Sequence, residues 1–216
     1  MSSIEQLSER LKKMIYYAVA TKKPWRYLQS VELIVAFRGV NTKQPEFRFR
    51  DVVILPKGLG KDVKVCVVAD GDMARQAREA GAYRVITKDE ISKIDRKTAK
   101  KIAQECDWVL VRADLMGIAG RVLGPALGPR GKAPIPIPPN ANISDFIKQY
   151  KNATRLFTKD QPFVACRIGS ENMTIDDLAE NAITVLNYIE GKVKRPLLQF
   201  SKIYVKTTSS PAIEVI

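Results

Sequence analysis

The sequence predicts an α/β protein of two domains: a two-layer α+β domain formed by both chain termini, residues 1–60 plus 143–216, and an α/β domain inserted at 61–142. Three observations predict it. Each terminal segment offers one strong helix and a few strands, too little to close a core alone. The stretch between them alternates apolar strands with short helices. A dense Gly-Pro segment at 123–139 closes that stretch.

Taken in order, residues 3–20 place Ile4, Leu7, Leu11, Met14, Ile15, Ala18 and Val19 at three- and four-residue steps, behind a capping box of Ser2 and Glu5. This is a helix with one buried stripe. SVELIVAF (30–37) and FRFRDVVIL (47–55) read as strands, the second with Arg48 and Arg50 on one face. Such alternation fits a binding face and a half-solvated sheet equally well.

From Lys61 the pattern becomes β-α-β. VKVCVVAD is a strand apolar on both faces, MARQAREAG a helix ended by Gly81, and YRVI a short strand. A helix at 95–106, the strand WVLVRA (108–113) and a helical stretch near LMGIAGRVL complete a small parallel sheet with flanking helices. The segment LGPALGPRGKAPIPIPP (123–139) holds half of the 12 prolines, which predicts a stiff, extended surface segment. It is a rigid linker, or a basic loop presenting Arg121, Arg130 and Lys132. Hinge boundaries are expected at Pro56–Gly60 and 124–139.

Beyond it, SDFIKQYKN is a helix with Ser144 as cap, and RLF and FVACRIG are strands. TIDDLAENAITVLNYIEG is the clearest helix, capped by Thr174, with Asp176 and Asp177 at its positive end and Gly191 ending it. FSKIYVKTT is the last strand, alternating Lys202, Tyr204 and Lys206 with Ile203 and Val205.

Composition narrows function. The 216 residues carry 36 Lys plus Arg against 23 Asp plus Glu, net +13, and no histidine. Without histidine, the common Ser-His-Asp and Cys-His nucleophile pairs and His metal sites are excluded. Cys66, Cys106 and Cys166 are odd in number and sit in apolar runs, which predicts buried free thiols in a reducing compartment. No apolar stretch reaches membrane-spanning length, so a cytoplasmic protein without membrane contact is expected. The basic excess, spread over both domains, points to a polyanionic partner.

Nucleotide chemistry finds no support. In GPRGK the residue five before Gly131 is Ala126, and in GLGK the residue five before Gly60 is Leu55, so neither has P-loop spacing. Asp70-Gly71-Asp72 follows the first inserted strand, acidic where a pyrophosphate would sit. Asp70, Asp72, Asp107 and Asp114 are read as turn formers and caps, so neither metal nor cofactor is expected. An α/β enzyme acting on a nucleotide or phosphorylated metabolite is the rival, and stabilisation by NAD or ATP would reveal it. What remains is a surface for structured RNA: Tyr27 among Lys22, Lys23 and Arg26, and the hydroxyl-rich KTTSSP turn (206–211).

SVEL (30–33), VILPKGLGK (53–61), LGPALGPRGKAPIPIPP and IYVKTTSSP (203–211) together resemble the ribosomal protein L-one family, the stalk protein of the large subunit, in its archaeal form. The resemblance spans nearly the whole chain in the right order. It implies that the inserted domain is Rossmann-like. It also implies binding to large-subunit rRNA at the mobile stalk, help in releasing deacylated tRNA from the exit site, and repression of the chain's own mRNA. The chain would be a non-enzymatic monomer off the ribosome. By the same resemblance, RNA contacts fall to Tyr27, Ser30, Lys202 and the turn Thr207, Thr208, Ser209, Ser210 and Pro211; the basic residues Arg48, Arg50, Lys159 and Lys206 are expected to add to them. In that turn Ser209 and Ser210 replace a family Met and Gly. A Gly there allows positive φ and close RNA approach, so Ser210 is expected to alter binding.

Overall fold

The computed structural model describes every residue except Met1, Ser2, Lys23, Lys43, Lys159 and Asp160. The expected Ser2 cap and the Lys159 contact lie outside the described residues. Chain contacts divide the molecule into two units, Met1–Lys61 with Asn152–Ile216, and Asp62–Lys151.

The first unit is a six-stranded sheet with helices on one face. Its helix α1 (Ser3–Ala20) buries Leu7, Leu11, Ile15 and Ala18, the expected stripe. The strands are β1 (Ser30–Phe37), β2 (Arg50–Ile54), β7 (Ala153–Phe157), β8 (Phe163–Ser170), β9 (Ser201–Thr207) and β10 (Ile213–Glu214), in the order β10-β9-β1-β8-β7-β2. The pairs are antiparallel, so the two ends of the chain share one sheet. Along β1, Val31, Leu33, Val35 and Phe37 are buried, while Ser30, Glu32, Ile34 and Ala36 alternate to the more open face.

Helix α7 (Ile175–Val193) packs beside α1 and buries Leu178, Ala179, Ala182, Val185, Leu186, Ile189 and Val193. Thr174 caps it as expected, accepting from the Asp177 N–H at 3.1 Å. Its end differs: the helix runs through Gly191 and stops at Lys194, which takes φ +56° and donates its N–H to Glu190 at 2.8 Å. Burial of Val193 outweighs the breaker. A short helix α8 (Leu197–Phe200) follows. The strand expected from Phe47 begins at Arg50, after a single 3-10 turn at Pro45–Phe47. The alternation holds nonetheless, with Phe47 and Phe49 buried and Arg48 and Arg50 exposed.

The second unit is a parallel sheet of β3 (Val65–Val68), β4 (Arg84–Ile86), β5 (Trp108–Arg112) and β6 (Ile135–Ile137), in the order β4-β3-β5-β6. Helices α3 (Lys88–Ser92), α4 (Arg96–Glu105) and α5 (Met116–Leu127) bury Ile91, Ala99, Ile102, Ala103, Leu123 and Leu127 against Cys66, Val68, Val109 and Val111. Helices α2 (Gly71–Glu79) and α6 (Ile143–Lys151) pack on β3, and Tyr150 meets Trp108 edge-on at 5.1 Å. Helix α6 therefore belongs with this unit, and its cap is Asn142, whose Oδ1 accepts from the Ser144 N–H at 3.1 Å. Gly81, at φ +73°, follows α2 as expected.

Two expectations are corrected here. The Gly-Pro segment is not extended throughout, nor is it a domain boundary: α5 continues through Pro125 to Leu127, a 3-10 turn covers Gly128–Arg130, and Pro136 lies in β6. Proline inside a helix costs about 3 kcal/mol. Burying Leu123 and Leu127 returns about 1.5–3 kcal/mol each. Strand β6 is at the sheet edge, where a missing N–H is tolerated. Second, the cysteines are not all free. Cys66 in β3 and Cys106 after α4 form a disulfide, with Cα atoms 5.8 Å apart and a sequence separation of 40. Only Cys166 is a free thiol. Burial, with Glu32 adding, pushes its pKa up to about 12.

Candidate nucleic-acid interface

The antiparallel register of β1 and β9 sets Val31 opposite Thr207. That pairing brings the segment before β1 against the turn after β9. Ser30 and Thr208 exchange contacts: the Thr208 N–H donates to the Ser30 carbonyl at 3.0 Å, and the Ser30 N–H donates to Thr208 Oγ1 at 3.1 Å. One residue back, Gln29 is buried, and its Oε1 accepts from the Ser209 N–H at 3.1 Å. The Tyr27 hydroxyl lies 2.6 Å from Ser209 Oγ. Lys206 reaches forward, its Nζ donating to the Thr208 carbonyl at 3.3 Å.

The turn closes on itself through Ser210. Its Oγ accepts from the Thr207 N–H at 2.8 Å, and its own N–H donates to the Thr207 carbonyl at 3.2 Å. Lys194 is the only non-glycine residue of positive φ among the described residues, so Ser210 does not occupy a conformation that demands glycine. The positive φ that a glycine would serve is not used at this position. A hydroxyl closes the turn instead.

A carboxylate anchors the other side. Glu171 Oε1 accepts from the Gln29 N–H at 3.1 Å, Oε2 pairs with Lys22 Nζ at 2.8 Å, and the Glu171 N–H donates to the Gln29 carbonyl at 3.0 Å. Burial works against its charge, but Lys22 and the Gln29 amide outweigh that and hold the carboxyl below its ordinary range. The loop so held presents Trp25 and Tyr27, 54% and 48% exposed, stacked at 6.2 Å with an interplanar angle of 24°. Two aromatic faces and several hydroxyls thus stand together in a basic setting, a surface able to stack unpaired bases and hydrogen-bond sugars and phosphates.

Tyr27, Ser30, Lys206, Thr207, Thr208, Ser209 and Ser210 therefore converge, with Pro211 next in the chain. Thr207 itself is buried and contributes backbone only. Lys202 pairs with Glu214 at 2.5 Å and lies opposite Ala36, about 17 Å along the strand from the turn. Arg48 and Arg50 are on or beside β2, four strands and about 19 Å across the sheet from β9. They do not join the cluster. In the second unit, Arg130 donates to the Ala126 carbonyl at 3.1 Å, and Lys132 Nζ to the Ala103 and Cys106 carbonyls at 3.1 and 2.7 Å. Both groups close helix ends. Arg121 is exposed on α5.

The sequence reading missed Trp25, Gln29 and Glu171. Trp25 was legible as a second aromatic in KKPWRY. Gln29 and Glu171 are joined only by the fold. Asp72 pairs with Arg75 and Asp114 with Arg112, while Asp107 accepts from the Lys64 N–H. No metal-ligating cluster occurs among the described residues, and none of their helices is long and apolar enough to cross a membrane.

Comparison with known proteins adds independent information. Residues 11–211 match the model of the Ribosomal protein L1p/L10e family. The chain is 54% identical over 207 residues to the large ribosomal subunit protein uL1 of Staphylothermus marinus, covering 96% of each chain. It is 46% identical to that of Hyperthermus butylicus, again covering 96% of each, and 52% identical to that of Aeropyrum pernix, covering 88% of this chain and 87% of the relative.

Proposed function

The chain belongs to the ribosomal protein L1p/L10e family, and from that premise we propose that it binds large-subunit rRNA at the mobile stalk beside the exit site. It is a ribosomal protein of the large subunit and not an enzyme. Its place is the cytoplasmic ribosome. The observation that carries the RNA reading is the junction of the chain ends, where Tyr27 meets Ser209 at 2.6 Å and Gln29 and Ser30 hold the same turn. Shape, hydroxyl and backbone recognition of this kind selects a folded RNA, while the +13 charge adds unselective phosphate affinity.

Two finer roles follow from one surface. A stem in the chain's own mRNA, in its leader or coding region, that presents the same shape would compete for the junction and repress translation. Within the ribosome, the protein would move with the stalk and assist release of deacylated exit-site tRNA. Off the ribosome it would act as a monomer.

The test is an electrophoretic shift with a stalk rRNA fragment and an unrelated structured RNA of equal length, over a range of salt. Wild type should bind the stalk fragment selectively at physiological salt. Tyr27→Ala, removing one stacking face worth about 1–3 kcal/mol, should weaken that binding by about 5- to 150-fold and spare the unrelated RNA. Equal affinity of wild type for both RNAs overturns the reading.

A further inference from the structure

Helices α4 and α5 pack side by side, and the groove between them encloses about 420 Å³. Its floor is apolar: Ile94, Ala99, Val122, Pro125 and Ala126. Its rim is cationic, with Arg96 and Lys100 one turn apart on α4 and Arg121 on α5, all exposed. No carboxylate lines it. The neighbouring cations of this unit are differently placed: Arg75 pairs with Asp72, Lys101 with Glu105 and Arg112 with Asp114. Among the described residues, none of the three rim cations is in an ion pair. Three unneutralised charges around one concavity raise the local positive potential and draw an anion to it.

Pro125 adds a second feature. It has no N–H, so the Arg121 carbonyl lacks its usual helical donor at the groove wall. An acceptor beside three cations suits a ligand that carries both negative charge and a hydroxyl donor. RNA carries both on every nucleotide, as phosphate and 2′-OH.

We propose that the α4–α5 groove is a second RNA-contacting surface, taking the phosphate backbone of a strand across Arg96, Lys100 and Arg121. It rests on the reading of the chain as an RNA-binding protein, yet it does not use the junction of the chain ends. Its contacts position RNA and carry no sequence information.

The experiment compares the full-length wild type with Arg96→Gln/Lys100→Gln/Arg121→Gln on the stalk fragment, reading the slope of log affinity against log salt. A control, Arg78→Gln/Arg84→Gln/Lys88→Gln, removes three exposed charges of the same unit outside the groove. The groove variant should flatten the slope by about 2–3 and keep discrimination between RNAs. The control should change the slope by less than about 1. Equal slopes for wild type and the groove variant, or equal effects of the two variants, overturn the proposal. If slopes are equal but poly-glutamate binds wild type and not the groove variant, the groove is an acidic-protein site and the RNA assignment fails. Failure of the junction itself reads differently: wild type then shows no discrimination between RNAs, whatever its slope.

Discussion

Removing the Cys66–Cys106 bond tests how the second unit is held together. Both sulfurs lie in the packed interior, and the bond closes a loop with a sequence separation of 40 between β3 and the entry to β5. Constraining a loop of that length in the unfolded chain is worth about 4 kcal/mol at 25 °C in the chain-entropy account. That is a large part of the about 5–15 kcal/mol by which domains are stable. At about 4–8 °C per kcal/mol for a domain of this size, its unfolding midpoint should fall by about 15–30 °C in Cys66→Ala/Cys106→Ala. Calorimetry of wild type, of this variant, and of wild type refolded with a reductant present separates loss of the bond from loss of sulfur volume. Both altered samples should show the lower midpoint. Alkylation followed by intact mass supplies the covalent check. Denatured without reductant, the chain should take one label, on Cys166, and after reduction one on each of its three cysteines. Three labels without reductant, or a midpoint unmoved in both altered samples, would refute the reasoning.

Three further outcomes are expected. Ser210→Ala leaves the buried Thr207 N–H without its acceptor, a cost of about 1–3 kcal/mol in urea unfolding. Ser210→Gly removes the same hydroxyl and adds chain freedom, so it should also weaken stalk-fragment binding; tighter binding by the Gly variant would contradict the turn described. Glu171, held below its ordinary pKa in the folded state, contributes stability that is present above the ordinary carboxylate value and lost as pH falls through the lower folded value. Urea titrations of wild type and Glu171→Gln should therefore differ at neutral pH and converge in acid, and a constant difference down to acid pH would count against this role.

Much of the fold was legible because periodicity reports burial directly. The run SVELIVAF coincides with β1, and the continuous apolar strands VCVV and WVLVR form the centre of the parallel sheet. The elements misread are those where tertiary burial overrules a local breaker. Pro125 and Gly191 both sit inside helices whose next turn carries a buried Leu or Val. The disulfide was not legible for a related reason. Spacing alone cannot reveal that Cys66 and Cys106 face one another until the crossover returns β5 to the side of β3.

The junction divides along the same line. Hydroxyls in a turn and an aromatic beside lysines are visible in any one-dimensional reading, but their joint meaning lies in contacts spanning about 180 residues. The register of β1 on β9 creates those contacts, and it also separates Lys202 from the cluster, although that residue is only five positions from the turn. Proximity in sequence thus overstated Lys202 and understated Gln29. Ser210 carries the sharpest consequence. Read against a family glycine, it looked like a loss of backbone freedom, yet φ here is not positive and the serine hydroxyl supplies a hydrogen bond that glycine cannot. The turn is therefore shaped by side-chain closure rather than by backbone permissiveness, and the presentation of Ser209 to Tyr27 depends on that closure.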